Sequence, residues 1–203
     1  MALQPGLIFG IVLFVVNMAA APPESPLEPG VLKALNQFRA DPAGFVAVLR
    51  QQRRYYRGDL LEIPGQPDLL TREGVRPLDE AIATLRSVHA RLGRVAFSTG
   101  LSRAAADHVL ETGKRGLTSH GDFEKRIDRY GTWSGEVGED ISYGPRDGRE
   151  VIVNLLIDDG VADRGHRRSL LDPRWRYVGI ACGFHARYGT MCVLDFASNY
   201  KDQ

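Results

Sequence analysis

The sequence carries no excess of charge of either sign: 26 Lys and Arg stand against 25 Asp and Glu in 203 residues, a formal net charge of +1. No field able to hold a polyanion follows from that balance, so nucleic acid is not an expected partner. The basic run Arg53-Arg54-Tyr55-Tyr56-Arg57 reads as a solvated loop. Internal repeats and low-complexity tracts are also lacking. With 43% hydrophobic and 25% charged residues, the chain has the composition of one compact domain rather than of a disordered segment.

Long apolar runs are scarce, and the single one is informative. Leu7 to Val16 is unbroken, and Ala19-Ala20-Ala21 gives the small-x-small pattern of a cleavage site. Residues 1–21 therefore read as a signal peptide cut after Ala21. Even extended to Ala21, the run is about fifteen residues, short of the roughly twenty that span a bilayer. The mature chain is expected to be soluble and secreted or periplasmic, touching a membrane only through the signal segment. No Lys or Arg precedes the run, which keeps an uncleaved anchor as the alternative. No Cys follows it directly, which argues against a lipoprotein. The Pro- and Glu-rich residues 22–30 read as a linker, leaving 31–203 as the domain.

There are only two cysteines, Cys182 and Cys192. They fall in stretches that read as strands, Tyr177 to Phe184 and Thr190 to Ala197, with a loop from His185 to Gly189 suited to a hairpin. Pairing Cys182 with Cys192 also pairs Ile180 with Leu194 and Val178 with Phe196, so one register gathers the large apolar residues on one face. A cross-strand disulfide follows, persistent in an oxidising compartment; two buried free thiols are the alternative.

Helical spacing marks Val31 to Ala40, Ala43 to Gln51 with Asp41 as N-cap, Leu78 to Leu92, Leu101 to Glu111 and Asp147 to Ile157. Tyr55 to Gly74, with Gly58, Pro64, Gly65 and Pro67, reads as an irregular insert. Helices first and a hairpin last indicate an α+β fold, helices packed on a small antiparallel sheet.

The five histidines divide by context. His108 lies on the apolar face of its helix and reads as a core residue. His89 is a helix residue without a partner at ligand spacing, and His185 opens the hairpin loop and reads as solvent-facing. His120, in Thr118-Ser119-His120-Gly121-Asp122, and His166, in Arg164-Gly165-His166-Arg167-Arg168, sit where regular structure breaks beside glycine. A helix N-terminus at His166 would favour a neutral ring, suited to metal or general-base work. The acidic candidates are Glu139, in Gly138-Glu139-Asp140-Ile141, and the pair Asp158-Asp159 ending a helix, where two carboxylates oppose the dipole unless Arg164 pairs with them. Neither H-E-x-x-H nor G-x-S-x-G occurs.

Taken in order, Leu35 to Pro42, LSRAAADHVLETGKRGLTSHGD, GEVGEDISYG, RGHRRSLLDPRW and YVGIACGFHARYGTMCVLDFA resemble a CAP (SCP-like) domain. That superfamily takes in cysteine-rich secretory proteins, venom antigen 5 and plant pathogenesis-related proteins, and the bacterial branch is the more similar. The resemblance implies an α-β-α sandwich with a central cleft holding two histidines and two acidic residues, a site that in some members binds a divalent metal. His120 and His166 match the family's histidines, and Glu139 matches the glutamate of its GEN motif. Asp140 stands where Asn is usual, and Asp158 or Asp159 falls near the second acidic position.

Three functions follow as expectations. The first is an exported binding module whose cleft takes zinc or another divalent metal through His120 and His166, with an unknown small-molecule, lipid or cell-envelope ligand. The second is a hydrolase with Ser119 as nucleophile, His120 as base and Glu139 orienting the ring, with His166 a further catalytic candidate. The third is lipid or sterol capture by the Tyr55 to Leu70 segment, where Tyr55, Tyr56, Leu60, Leu61 and Ile63 cluster.

Overall fold

The computed structural model describes residues 27–89 and 92–203, so the signal segment and most of the linker lie outside the described residues. The helices are α1 (Glu28–Ala40), α2 (Phe45–Arg53), α3 (Arg76–Ser87), α4 (Thr99–Thr112), α5 (Phe123–Asp128), α6 (Gly148–Ile157) and α7 (Gly165–Leu170). The strands are β1 (Tyr56–Arg57), β2 (Leu60–Leu61), β3 (Leu69–Leu70), β4 (Ala96–Phe97), β5 (Gly131–Trp133), β6 (Val137–Tyr143), β7 (Tyr177–His185), β8 (Gly189–Ala197) and β9 (Tyr200–Asp202). Among the described residues no helix is long and apolar enough to cross a membrane.

The central sheet has the order β4-β7-β8-β6, with β4 parallel to β7 and the other pairs antiparallel. Strand alternation sends even-numbered residues of β7 and β8 to one face and odd-numbered ones to the other. Val178, Ile180, Cys192, Leu194 and Phe196 join the side chains of α1, α2, α3 and α6 in the larger core. Ala181, Met191, Val193 and Ile141 pack instead on Ala105 and Val109 of α4. The result is the α+β, α-β-α sandwich, with apolar packing on both faces of the sheet.

Several elements form for local reasons. Ser98 caps α4 by accepting from the Leu101 N–H at 3.1 Å, and Asp147 caps α6 by accepting from Glu150 N–H at 2.8 Å. Helix α4 lies directly on β7, because Gly179 has no side chain: a Cβ there would collide with the main chain of Leu101 and Ser102. The hairpin has the expected register, with Ile180 opposite Leu194, Val178 opposite Phe196, and Cys182 bonded to Cys192. The strands run further than the sequence suggested: His185 pairs with Gly189, leaving a three-residue turn closed by Gly189 at φ 77°.

Other expectations need correction. Helix α1 starts at Glu28, inside the stretch read as linker, because Pro29 has the φ of a first helical turn and Glu28 suits its positive end. Asp41 closes α1 rather than capping α2; its N–H donates to the carbonyls of Gln37 and Phe38, and its carboxylate accepts from the Gly44 N–H at 3.0 Å. Helix α3 ends at Ser87, so His89 lies beyond it. The insert is a miniature sheet of β1, β2 and β3, with Leu61 buried but Leu69 and Leu70 exposed. His185 is fully buried and not solvent-facing: its Nε2 meets the Leu117 carbonyl at 3.2 Å, and its ring packs against Tyr143 and Tyr188.

Candidate functional site

The site is organised by β6, an edge strand of the central sheet. Glu139 and Asp140 are adjacent, so alternation points their side chains to opposite faces. Glu139 joins the α4–α5 side, and Asp140 joins the α6–α7 side. Two half-sites result, one over each face of the same strand.

In the first half-site, His120 follows the turn after α4, and Gly121 at φ 55° redirects the chain behind it. The His120 Nδ1 lies 2.7 Å from Glu139 Oε1. An ionised carboxylate only accepts, so Nδ1 carries the proton and Nε2 is left free. Arg126 of α5 secures both partners: its guanidinium is ion-paired with the other Glu139 oxygen, and Nη1 donates to the His120 carbonyl at 2.7 Å. The side chains of Arg126 and Glu139 are 3% and 2% exposed, whereas His120 is 55% exposed. A buried pair thus holds an accessible imidazole. Burial works against charge on Glu139, yet the His120 N–H and the Arg126 cation hold its carboxyl below the usual range.

Beneath Glu139 lies Asp195, its register partner on β8, fully buried and without a donor from any other group among the described residues. Burial, and then the neighbouring Glu139 charge, push its carboxyl well above the carboxylate range. Burial thus favours the protonated form of Asp195, which can donate to Glu139. His108 borders the same cluster from α4, with both ring nitrogens buried, and burial lowers its pKa. Its core assignment holds, but the core it occupies is the floor of the site.

The second half-site is built from two helix ends. Helix α6 stops at Asp158, which takes the left-handed conformation at φ 60°. That turn lets its carboxylate accept from the His166 Nδ1–H at 2.6 Å and from the backbone N–H groups of His166 and Arg167 at 3.0 and 3.3 Å. Asp158 thus opposes the dipole of its own helix but complements that of α7. Arg167 donates to the carbonyls of Leu156, Ile157 and Pro77, tying the end of α6 to the start of α3. The His166 side chain is 23% exposed, again with Nε2 free.

His166 departs from one expectation. Burial acts to lower its pKa, but Asp158 and Asp140 outweigh both that and the helix N-terminus, and the net shift is upward. Asp140, also buried, is pushed up to about 7 by loss of solvent, against the opposing influence of His166 and His120. Asp159 does not join them: it accepts from the Arg72 and Glu73 N–H groups at 2.7 and 2.9 Å and anchors the insert. Arg164 pairs not with either aspartate carboxylate but with Glu73 and Glu80, at 2.6 and 2.7 Å. Ser119 neighbours His120 in the chain, and no hydrogen bond joins their side chains among the described residues.

Sequence reasoning did not identify Arg126 or Asp195. Asp195 left a signal, since it is a lone charged residue in the otherwise apolar strand Met191 to Ala197. Arg126 left none, because a cation in a six-residue helix reads as surface.

Three bacterial proteins of solved structure are similar to this chain. An extracellular protein containing an SCP domain from Bacillus anthracis is 18% identical, with a TM-score of 0.43, and the match covers 59% of this chain and 39% of that one. An outer surface protein from Borrelia burgdorferi is 16% identical, with a TM-score of 0.45, covering 53% and 80%. A cysteine-rich secretory protein from Staphylococcus aureus is 15% identical, with a TM-score of 0.40, covering 62% and 38%. The chain thus spans about two fifths of the first and third of these proteins. No curated protein matches the sequence. The cysteine-rich secretory protein family, CAP, matches residues 32–196, nearly the whole described domain, and the chain belongs to that family.

Proposed function

We propose that this protein is an exported CAP-domain binding module whose recognition site is the cleft along β6, flanked by His120 and His166. One observation carries the reading: each imidazole is fixed by a carboxylate on Nδ1, Glu139 for His120 and Asp158 for His166, and offers its free Nε2. Such an orienting bond behind the ring is the arrangement that prepares a histidine to bind a ligand. Export is supported by the Cys182–Cys192 disulfide and by the apolar segment Leu7 to Val16.

The donor chemistry suits a divalent cation only in part. Among the described residues no group of three or more His, Cys, Asp or Glu side chains is arranged to hold a metal ion. His120 and His166 would be the protein ligands, with water completing the shell, while Glu139 and Asp158 act from behind. Zinc bound this way would supply a Lewis-acidic centre, held more weakly than in a closed structural site.

Calorimetric titration of zinc into the purified protein, beside the His120→Ala/His166→Ala double variant, tests this. Binding that disappears in the variant and weakens as pH falls, because a histidine must be neutral to ligate, is the expected result. Equal binding by both proteins would place the metal elsewhere, and no binding by either would leave a metal-free cleft. Hydrolysis by Ser119, and lipid capture by the Tyr55 to Leu70 segment, have less to rest on. Ser119 has no hydrogen bond to its base among the described residues, and in the apolar cluster of the insert Leu61 is buried and Tyr56 packs on the main core.

A further inference from the structure

The two edges of the central sheet are treated differently. In an antiparallel ladder, alternate residues turn their N–H and C=O groups away from the partner strand. On β7 those outward groups are covered: β4 pairs with Tyr177 and Val178, Ser102 Oγ accepts from the Ile180 N–H at 3.0 Å, and Glu28 Oε1 accepts from the Cys182 N–H at 2.8 Å. Side chains thus close that edge against further pairing.

On β6 nothing comparable is present among the described residues. Gly144 N–H donates to the Thr190 carbonyl at 2.8 Å and Ser198 N–H to the Glu136 carbonyl at 2.9 Å, so the even-numbered residues of β6 face β8. Glu139, Ile141 and Tyr143 therefore turn their main-chain groups outward, and these have no hydrogen-bond partner among the described residues. Glu139 shows that the edge reaches solvent: its side chain is only 2% exposed, yet the residue as a whole is half-buried, so its accessible surface is main chain. This unpaired edge, half-buried at Glu139 and Tyr143 and buried at Ile141, runs between the two histidine half-sites.

We propose that β6 is a strand-addition site, where an extended peptide segment of a partner protein pairs with the main chain of Glu139, Ile141 and Tyr143 as a fifth strand. The proposal rests on the reading of the cleft as a binding site and names its ligand class. Outward donors and acceptors recur every two residues, about 6.7 Å apart. Another extended main chain offers the same alternation at the same repeat, whereas a lipid tail offers none of it. Side chains of the added strand would alternate between the His120–Glu139 side and the His166–Asp140 side. Main-chain pairing would supply affinity, and the half-sites would supply selection.

Amide hydrogen exchange on the purified protein, free and with a decapeptide selected from a phage-displayed random library, tests the proposal. In the free protein the amides of Glu139, Ile141 and Tyr143 should exchange at least tenfold faster than those of Gly138, Asp140 and Ser142. The selected peptide should slow the first three at least tenfold. N-methylation of the peptide should weaken binding at least tenfold at alternate residues and little at those between. A library that yields no binder, or a binder that leaves the three amides unprotected, overturns strand addition. Slow exchange in the free protein together with a dimer mass by light scattering also overturns it, and assigns the edge to a second copy of this chain. Zinc binding separates the two readings: histidine-dependent zinc uptake without peptide protection leaves the cleft but removes the strand, and protection without zinc uptake keeps the strand in a metal-free cleft.

Discussion

Asp140→Asn should stabilise the protein, and by an amount that depends on pH. The Asp140 side chain is buried, with one oxygen unpartnered, and its pKa stands at about 7 against an ordinary value of 3.8. The sign runs opposite to that of a salt-bridged carboxylate. Below about pH 4 the group is protonated whether the chain is folded or not, and it contributes no pH dependence. Between about 4 and 7 the unfolded chain releases the proton while the folded chain keeps it, so stability falls as pH rises. Above 7 the penalty is complete: about three pKa units at 1.36 kcal/mol each give about 4 kcal/mol as an upper value. Asparagine, the usual residue of the family at this position, is nearly isosteric and removes the ionisation. Urea denaturation of both proteins from pH 4 to pH 8 should show curves that nearly meet at the acid end and separate by about 2–4 kcal/mol at the other. At about 2–4 °C per kcal/mol for a domain of this size, the melting temperature should rise by about 5–15 °C at pH 8. A separation that stays constant across the range, or an Asn variant less stable at pH 8, would refute the argument that Asp140 is held as a neutral acid by burial.

Two further outcomes follow from the packing. Gly179→Ala should cost about 3 kcal/mol or more, or abolish folding, because the new Cβ meets the backbone of α4 rather than a side chain that could rotate away; an unchanged melting temperature would contradict that close approach. Arg126→Met keeps the aliphatic bulk but strips the buried Glu139 carboxylate of its cation and frees the His120 carbonyl, so a loss of about 3 kcal/mol is expected in denaturation experiments. A change below about 0.5 kcal/mol would show that His120 N–H alone suffices to hold Glu139.

The hairpin was legible because it is local: period-two alternation, a glycine-ended loop and two cysteines fix Cys182 opposite Cys192 with nothing else needed. The helices were legible for the same reason, though their ends moved where a proline or a cap outweighed apolar spacing, as at Pro29 and Asp41. His120, Glu139 and His166 stood out through the breaks in pattern around them and the resemblance to CAP motifs. The ambiguity between Asp158 and Asp159 could not be resolved by spacing, because the deciding event is a single left-handed residue that sends one carboxylate to α7 and the other to the insert. Asp195, Arg126 and the floor role of His108 depend on contacts between segments far apart in the chain, and periodicity carries no information about those. His185 failed for a related reason: its burial comes from the Leu117 turn, which docks against the hairpin from another part of the chain.

The division of labour between Glu139 and Asp140 has a consequence for how this segment can vary. Their roles are separated only by the parity of their positions along β6, so the site tolerates changes of residue more readily than changes of length. Adding or removing one residue between Asp140 and Tyr143, with the Tyr143 end of the strand held in register and no compensating bulge, would exchange the two faces, presenting Asp140 to His120 and Arg126 and Glu139 to His166. Among homologues, insertions and deletions inside this stretch of β6 should therefore come in pairs or be absent, while the exposed turn before it is free to change length.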